Sequence, residues 1–140
     1  MATSARSSHG TLLKVGDGAT PTEAFTTIAE VLDISGPGTT LNTEDATNHD
    51  SAGWREPVPT ILEGGEVTFE INYYKATTQT ALRTLQTNRT KRNFQMVIPL
   101  AVTETLSFAA YVTGFEYSAP VEGIFRASVT LMVTGAITSA

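Results

Sequence analysis

Residues 66–74 read EVTFEINYY, and this stretch decides the fold. Val67, Phe69, Ile71 and Tyr73 fall on one side of an extended chain, and Thr68, Glu70, Asn72 and Tyr74 on the other. That period of two belongs to a strand with one buried face and one polar face. The same alternation returns in RNFQMVIPL (92–100), where Phe94, Met96, Ile98 and Leu100 share a face and Pro99 marks an edge or an end. In ETLSFAAYVTGFEYSAP (104–120) the inward set runs Leu106, Phe108, Ala110, Val112, then changes parity to Phe115 and Tyr117, so a β-bulge is expected at Gly114. IFRASVTLMVTGAI (124–137) places Phe125, Ala127, Val129, Leu131 and Val133 inward, and SAPVEG joins it to the preceding strand as a hairpin loop.

Towards the N-terminus, TLLKV (11–15) reads as a short strand closed by the turn GDG, and AFTTIAEVLDIS (24–35) as one longer strand stopped by GPG. TTLNTE (39–44) is a third short strand. The single helix is expected at Ala76–Asn88, with Thr77 or Thr78 near the N-cap and Ala81, Leu82 and Leu85 as a narrow apolar stripe. Residues 1–10 are small and polar and read as an N-terminal arm. Residues 45–65 show no period, and a loop of that length in a compact domain is functional or disordered.

The 140 residues suit one domain, large enough to bury a core without metal or disulfide. Six or seven strands and one helix predict a mainly β fold, a β-sandwich or partly closed barrel with a flanking α-helix. There is no cysteine, hence no disulfide framework, thiolate nucleophile or Cys-based zinc site. MATSARSSHG lacks the apolar segment of a signal peptide, and no apolar run reaches bilayer-spanning length, so a chain made in a cytoplasm without membrane insertion is expected. A net charge of -5 argues against a chain that grips nucleic acid as a whole.

Chemistry-bearing patterns are scarce. His9 and His49 both lie in segments without period and form no metal-binding spacing. His49, Asp50 and Ser51 are consecutive, whereas nucleophile, base and orienting acid must converge from separate elements. GDG lacks the rest of a phosphate-cradling loop, and NRT (88–90) matches a glycosylation sequon without a secretory context. No catalytic residue, metal ligand or cofactor is expected.

Charge is sorted by segment. Glu44, Asp45, Asp50, Glu56, Glu63, Glu66 and Glu70 face Arg55 alone, while Arg83, Arg89, Lys91 and Arg92 crowd the helix and its exit. A solvated helix end explains this, and so does a meeting of acidic and basic regions on different copies of the chain. Glu70, outward in the best strand, is either solvated or, in a ring, directed into a channel where it would repel DNA.

The only tryptophan, Trp54, stands in the unpatterned segment DSAGWREPVPTILEGG (50–65). Burying such a ring removes roughly 150–250 Å² from water, at about 25 cal/mol per Å² several kcal/mol. Either the segment folds back over its own domain, or it plants Trp54, Pro57, Pro59, Ile61 and Leu62 on a second subunit.

The succession of AFTTIAEVLDISGPG, then GWREPVPTILEGGEVTFEINY, a helix of the TALRTL kind and a closing hairpin resembles the tail tube (major tail) proteins of long, non-contractile-tailed bacteriophages, over nearly the whole chain. The resemblance implies a structural virion protein, not an enzyme, whose copies form hexameric rings stacked into a tube for viral DNA ejection. It implies tape-measure, initiator and terminator proteins as partners, transient DNA in the lumen without sequence-specific binding, and a place in the virion tail after a stay in the host cytoplasm. The N-terminal arm 1–10 and the long loop 45–65 would then be assembly segments. Trp54, Arg55, Pro57, Pro59, Ile61 and Leu62 would make inter-subunit contacts, with Glu70 the lumen-facing candidate. The competing reading from another class is a monomeric β-sandwich binding module for carbohydrate or protein, with Trp54 and Tyr74 as its platform.

Overall fold

The computed structural model describes residues 3–19 and 22–140. The stretch at 66–74 forms β6 (Glu66–Asn72), with Val67, Phe69 and Ile71 at most 2% exposed and Glu66, Thr68 and Glu70 exposed between them. It pairs antiparallel with β9 (Arg126–Ser139) and β3 (Val31–Ser35). On the other side of β9 follow β8 (Glu104–Ser118), β7 (Arg92–Ile98), β1 (Leu12–Gly16) and β2 (Phe25–Thr27), giving one seven-stranded sheet in the order β2-β1-β7-β8-β9-β6-β3.

The fold is mainly β with one flanking helix, as the alternation predicts, but Ala24–Ser35 is not one strand. Glu30 takes a φ of 50°, a left-handed conformation that a continuous strand cannot contain. The break has a large consequence, because β2 and β3 are the two outer strands of the sheet. Only Ile28, Ala29 and Glu30 connect them. Four residue steps reach at most about 14 Å, so the sheet must curl until its edges face each other. The sheet nevertheless stays open, with no ladder joining β2 to β3 among the described residues. The link itself bridges the gap: Ile28 N–H donates to the Leu13 carbonyl on one side, and Asn72 N–H donates to the Glu30 carbonyl on the other.

The interior of this curl is the core, where Leu13, Ile28, Phe69, Ile71, Phe94, Phe108, Val129 and Leu131 are buried together. Curvature in the two longest strands comes from irregular pairing. The register shifts between Val112 and Gly114, the bulge expected there, and again between Ser107 and Ala109, opposite a stretch of β9 holding Gly135 at φ 80°.

Helix α1 (Thr77–Thr87) packs on β8 through Leu82, fully buried, and Leu85, half-buried. Ala81, expected in that stripe, is exposed, and the N-cap is Ala76, not Thr77 or Thr78. Alanine offers no side-chain acceptor, and Gln79 supplies the contacts instead. Its Oε1 accepts from the backbone N–H of Tyr74 (3.1 Å) and Ala76 (3.3 Å), while its Nε2 donates to the carbonyls of Ala29 (3.0 Å) and Asn72 (2.9 Å). Gln79 is fully buried and clasps the β2–β3 link to the end of β6.

Residues 45–65 are the second departure from expectation. The later part of that span is strand: β5 (Pro57–Gly64) pairs with β4 (Thr39–Asp45) in a separate two-stranded ribbon. It shows no alternation because neither of its faces is covered, and a period of two arises only where one face is buried. Gly36, at φ 98°, turns the chain into this ribbon so close to β6 that a Cβ there would strike the Glu66 carbonyl oxygen.

Candidate assembly surfaces

The ribbon is an arm. Its strands meet in register from Thr39 opposite Gly64 to Asp45 opposite Pro57, and beyond its own hairpin β5 packs on the end of β9. Pro57 and Pro59 each remove an N–H donor, which suits an edge of a narrow ribbon and not the interior of a sheet. Val58, Ile61 and Leu62 are exposed, the last two by 66% and 74%.

The tip is ordered by its own polar groups. Ala46 N–H donates to the Glu56 carbonyl, Glu56 N–H donates to Thr47 Oγ1, and Ser51 N–H donates to the Asn48 carbonyl. Arg55 Nη1 meets Asp45 Oδ2 at 2.8 Å. Hydrogen bonds from Thr47, side chain then backbone, hold the Asp45 carboxyl below its ordinary value against an opposing desolvation, with a lesser contribution from the Arg55 guanidinium. Trp54 stands outside this frame, 79% exposed. Of its two possible homes, its own domain supplies none. His49, Asp50 and Ser51 belong to the same tip, where the Ser51 hydroxyl bonds to Glu56 and Asp50 N–H to Asn48 Oδ1. Through these bonds Asp50 and Ser51 serve the turn.

Of the N-terminal arm, residues 3–10 are exposed and carry no strand, while Met1 and Ala2 lie outside the described residues. Ser7–Gly10 border a cleft with Val31–Ile34 of β3 and Met96 of β7.

At the opposite end of β6 the sequence reading missed a feature. Tyr117 and Phe125, both expected inward, are 39% and 41% exposed. They overhang the covered part of the sheet and pack with Tyr73 and Phe115, ring centroids 5.2 Å apart for Tyr73 and Tyr117 and 5.7 Å for Tyr117 and Phe125. Arg83 lies 5.7 Å over the Tyr117 ring and donates from Nη1 to its hydroxyl. Tyr74 follows the end of β6 remote from the root of the arm, so Trp54 and Tyr74 sit on separate features and form no common platform.

On the outward face of the sheet, Glu70 pairs with Ser128 and Ser128 with Glu116, a row across β6, β9 and β8 in which all three are exposed. Among the described residues, no group of three or more His, Cys, Asp or Glu is arranged to hold a metal, and no helix is long and apolar enough to cross a membrane. The Arg55–Asp45 pair is the only ion pair among them, leaving Arg83, Arg89, Lys91 and Arg92 without a carboxylate partner.

The structure is thus a curled sheet that carries an arm with exposed apolar side chains. Residues 14–140 match the family of the lambda phage tail tube protein, and the chain belongs to that family. It is a structural tube-forming protein, not an enzyme. No curated protein matches it in sequence. Among solved structures it is similar to a chain in the tail of an empty gene transfer agent particle refined with C6 helical symmetry, at 20% identity and TM-score 0.79, covering 96% of this chain and 98% of that one. The SPP1 tail tube shares the fold at 18% identity and TM-score 0.63, with 92% and 74% covered. So does a chain of the anti-feeding prophage baseplate at 10% identity and TM-score 0.72, with 100% and 97% covered.

Proposed function

We propose that this chain assembles as hexameric rings that stack into the tube of a long, non-contractile phage tail, the conduit for viral DNA at ejection. The observation that carries the reading is the arm: an ordered ribbon with Trp54, Ile61 and Leu62 in water forgoes several kcal/mol that a neighbouring copy can supply. Family membership and the six-fold symmetry of the gene transfer agent tail support the ring.

In this reading Trp54, Arg55, Pro57, Pro59, Ile61 and Leu62 make contacts between subunits, and residues 1–10 add a second assembly segment. Arg55 acts through Asp45, fixing the tip that presents Trp54. Glu70 faces the lumen, where its carboxylate and that of Glu116 keep passing DNA from adhering without reading its sequence. Tape-measure, initiator and terminator proteins set the length and ends of the tube, and the subunit waits in the host cytoplasm before joining the virion tail.

Electron microscopy of the purified protein at rising concentration tests this, with six-fold rings or tubes as the expected result. Trp54 gives an internal readout, because its emission should move to shorter wavelength as the indole leaves water. A chain that stays monomeric at high concentration across a range of salt overturns the reading.

A further inference from the structure

We propose that the aromatic end of the curled sheet is the receiving surface for the β4–β5 arm of a second copy of this chain, so that subunits join head to tail. The proposal rests on the tube-forming reading and names the surface that reading leaves open. The arm's root, Thr39 opposite Gly64, adjoins the start of β6, where Glu66 pairs with Met132. The far end of β6, Asn72 opposite Arg126, leads into Tyr73 and Tyr74 and faces the β8–β9 turn. About six residue steps of ~3.3 Å separate the two ends by about 20 Å.

The two surfaces are complementary in kind. Tyr117 and Phe125 offer partly bare rings fixed by Tyr73 and Phe115, and Tyr74, Val121 and Ile124 are exposed around them. Arg83 stacks on Tyr117, and Lys75 is exposed next to Tyr74. From Ile71 to Thr103 the chain holds no acidic residue; the carboxylates near this end are Glu122 of the adjoining turn 119–125, Glu116 on the outward face beside Tyr117, and exposed Glu30, whose carbonyl accepts from Asn72 N–H. The arm's tip presents an indole together with Glu44, Asp45, Asp50 and Glu56, and its single cation, Arg55, is held on Asp45. An indole needs a ring-lined surface, and an acidic tip needs cations without carboxylate partners. Both lie at the end of the sheet that the arm of the same copy leaves behind. Contact between unlike surfaces does not close on itself pairwise and therefore repeats, around a ring or along an axis, whereas arm-on-arm pairing would stop at a two-fold dimer.

The lack of native cysteine makes cross-linking a clean test. Full-length chain carrying Ala52→Cys and Val121→Cys, both at exposed positions, is assembled and treated with a short bismaleimide; Ser51→Cys with Glu122→Cys serves as a second pair, and Ala52→Cys with Val102→Cys as control. The expected result is a ladder of covalent multimers from tubes of the first two pairs and none from the control. Tubes in which neither tip-to-turn pair links, or in which the Val102 control gives the ladder, overturn the receiving surface and leave the tube-forming reading in place. Absence of tubes from the unmodified chain overturns that reading instead.

Discussion

Gln79 is the residue that fastens the curled sheet, tying the β2–β3 link to the end of β6. It satisfies two backbone donors and two carbonyls, and it is the only polar side chain wholly buried among the described residues. A glutamine at the third helical position has a sequence signature, the reach-back half of a capping box, but its carbonyl partners come from Ala29 and Asn72, which no local pattern predicts. Gln79→Glu places an acceptor against those two carbonyls, so about 3 kcal/mol should be lost at neutral pH in urea denaturation. Burial and the facing carbonyls raise the folded pKa of that glutamate above its unfolded value, so the penalty should shrink as pH falls below the folded value and the protonated form can donate. An equal loss at pH 7 and pH 4.5 would mean that shape, not charge, is responsible. Trp54→Ala works through the opposite logic. Thermal unfolding of the monomer should shift by less than about 0.5 kcal/mol, since the ring is in water, while sedimentation should show a higher concentration needed for assembly. A large drop in monomer stability would place the indole in the core after all.

At the level of elements, the β4–β5 ribbon and the sheet are separable. The ribbon buries no side chain completely and leaves the sheet through Gly36 and the Gly64–Gly65 junction. Replacing residues 42–61 by Asn-Gly, a two-residue hairpin turn between Leu41 and Leu62, should leave cooperative unfolding intact and abolish tubes. Loss of cooperative unfolding in that variant would show that the arm stabilises its own domain. The strand at 57–64 was illegible in sequence for a physical reason, because PVPTILEG lacks alternation when both faces await a partner. The bulge at Gly114 was legible because the buried face persists on both sides of it, so the change of parity shows.

Across the whole molecule, the charges divide between an outward acidic row, an acidic arm and a cationic helix flank. If the row of Glu70 and Glu116 lines a lumen, Glu70→Lys should leave folding and tube formation unchanged, since the side chain is exposed, yet slow DNA ejection by phage carrying it. Ejection at the parental rate counts against a lumen role for that carboxylate. The same molecule-wide view explains why the two edges of the sheet meet. With three residues between β2 and β3, the open sheet can exist only in curled form.

By itself the sequence determined what half-burial writes into it, namely the alternating strands around EVTFEINYY, the helix after them and the bulge, together with the lack of any thiol. Only the tertiary structure decided the break at Glu30, the Gln79 clasp, the projecting arm and the partly bare aromatic end. Each of those depends on contacts between residues far apart in the chain, or on surfaces left uncovered within one subunit, and neither condition leaves a period for the sequence to display.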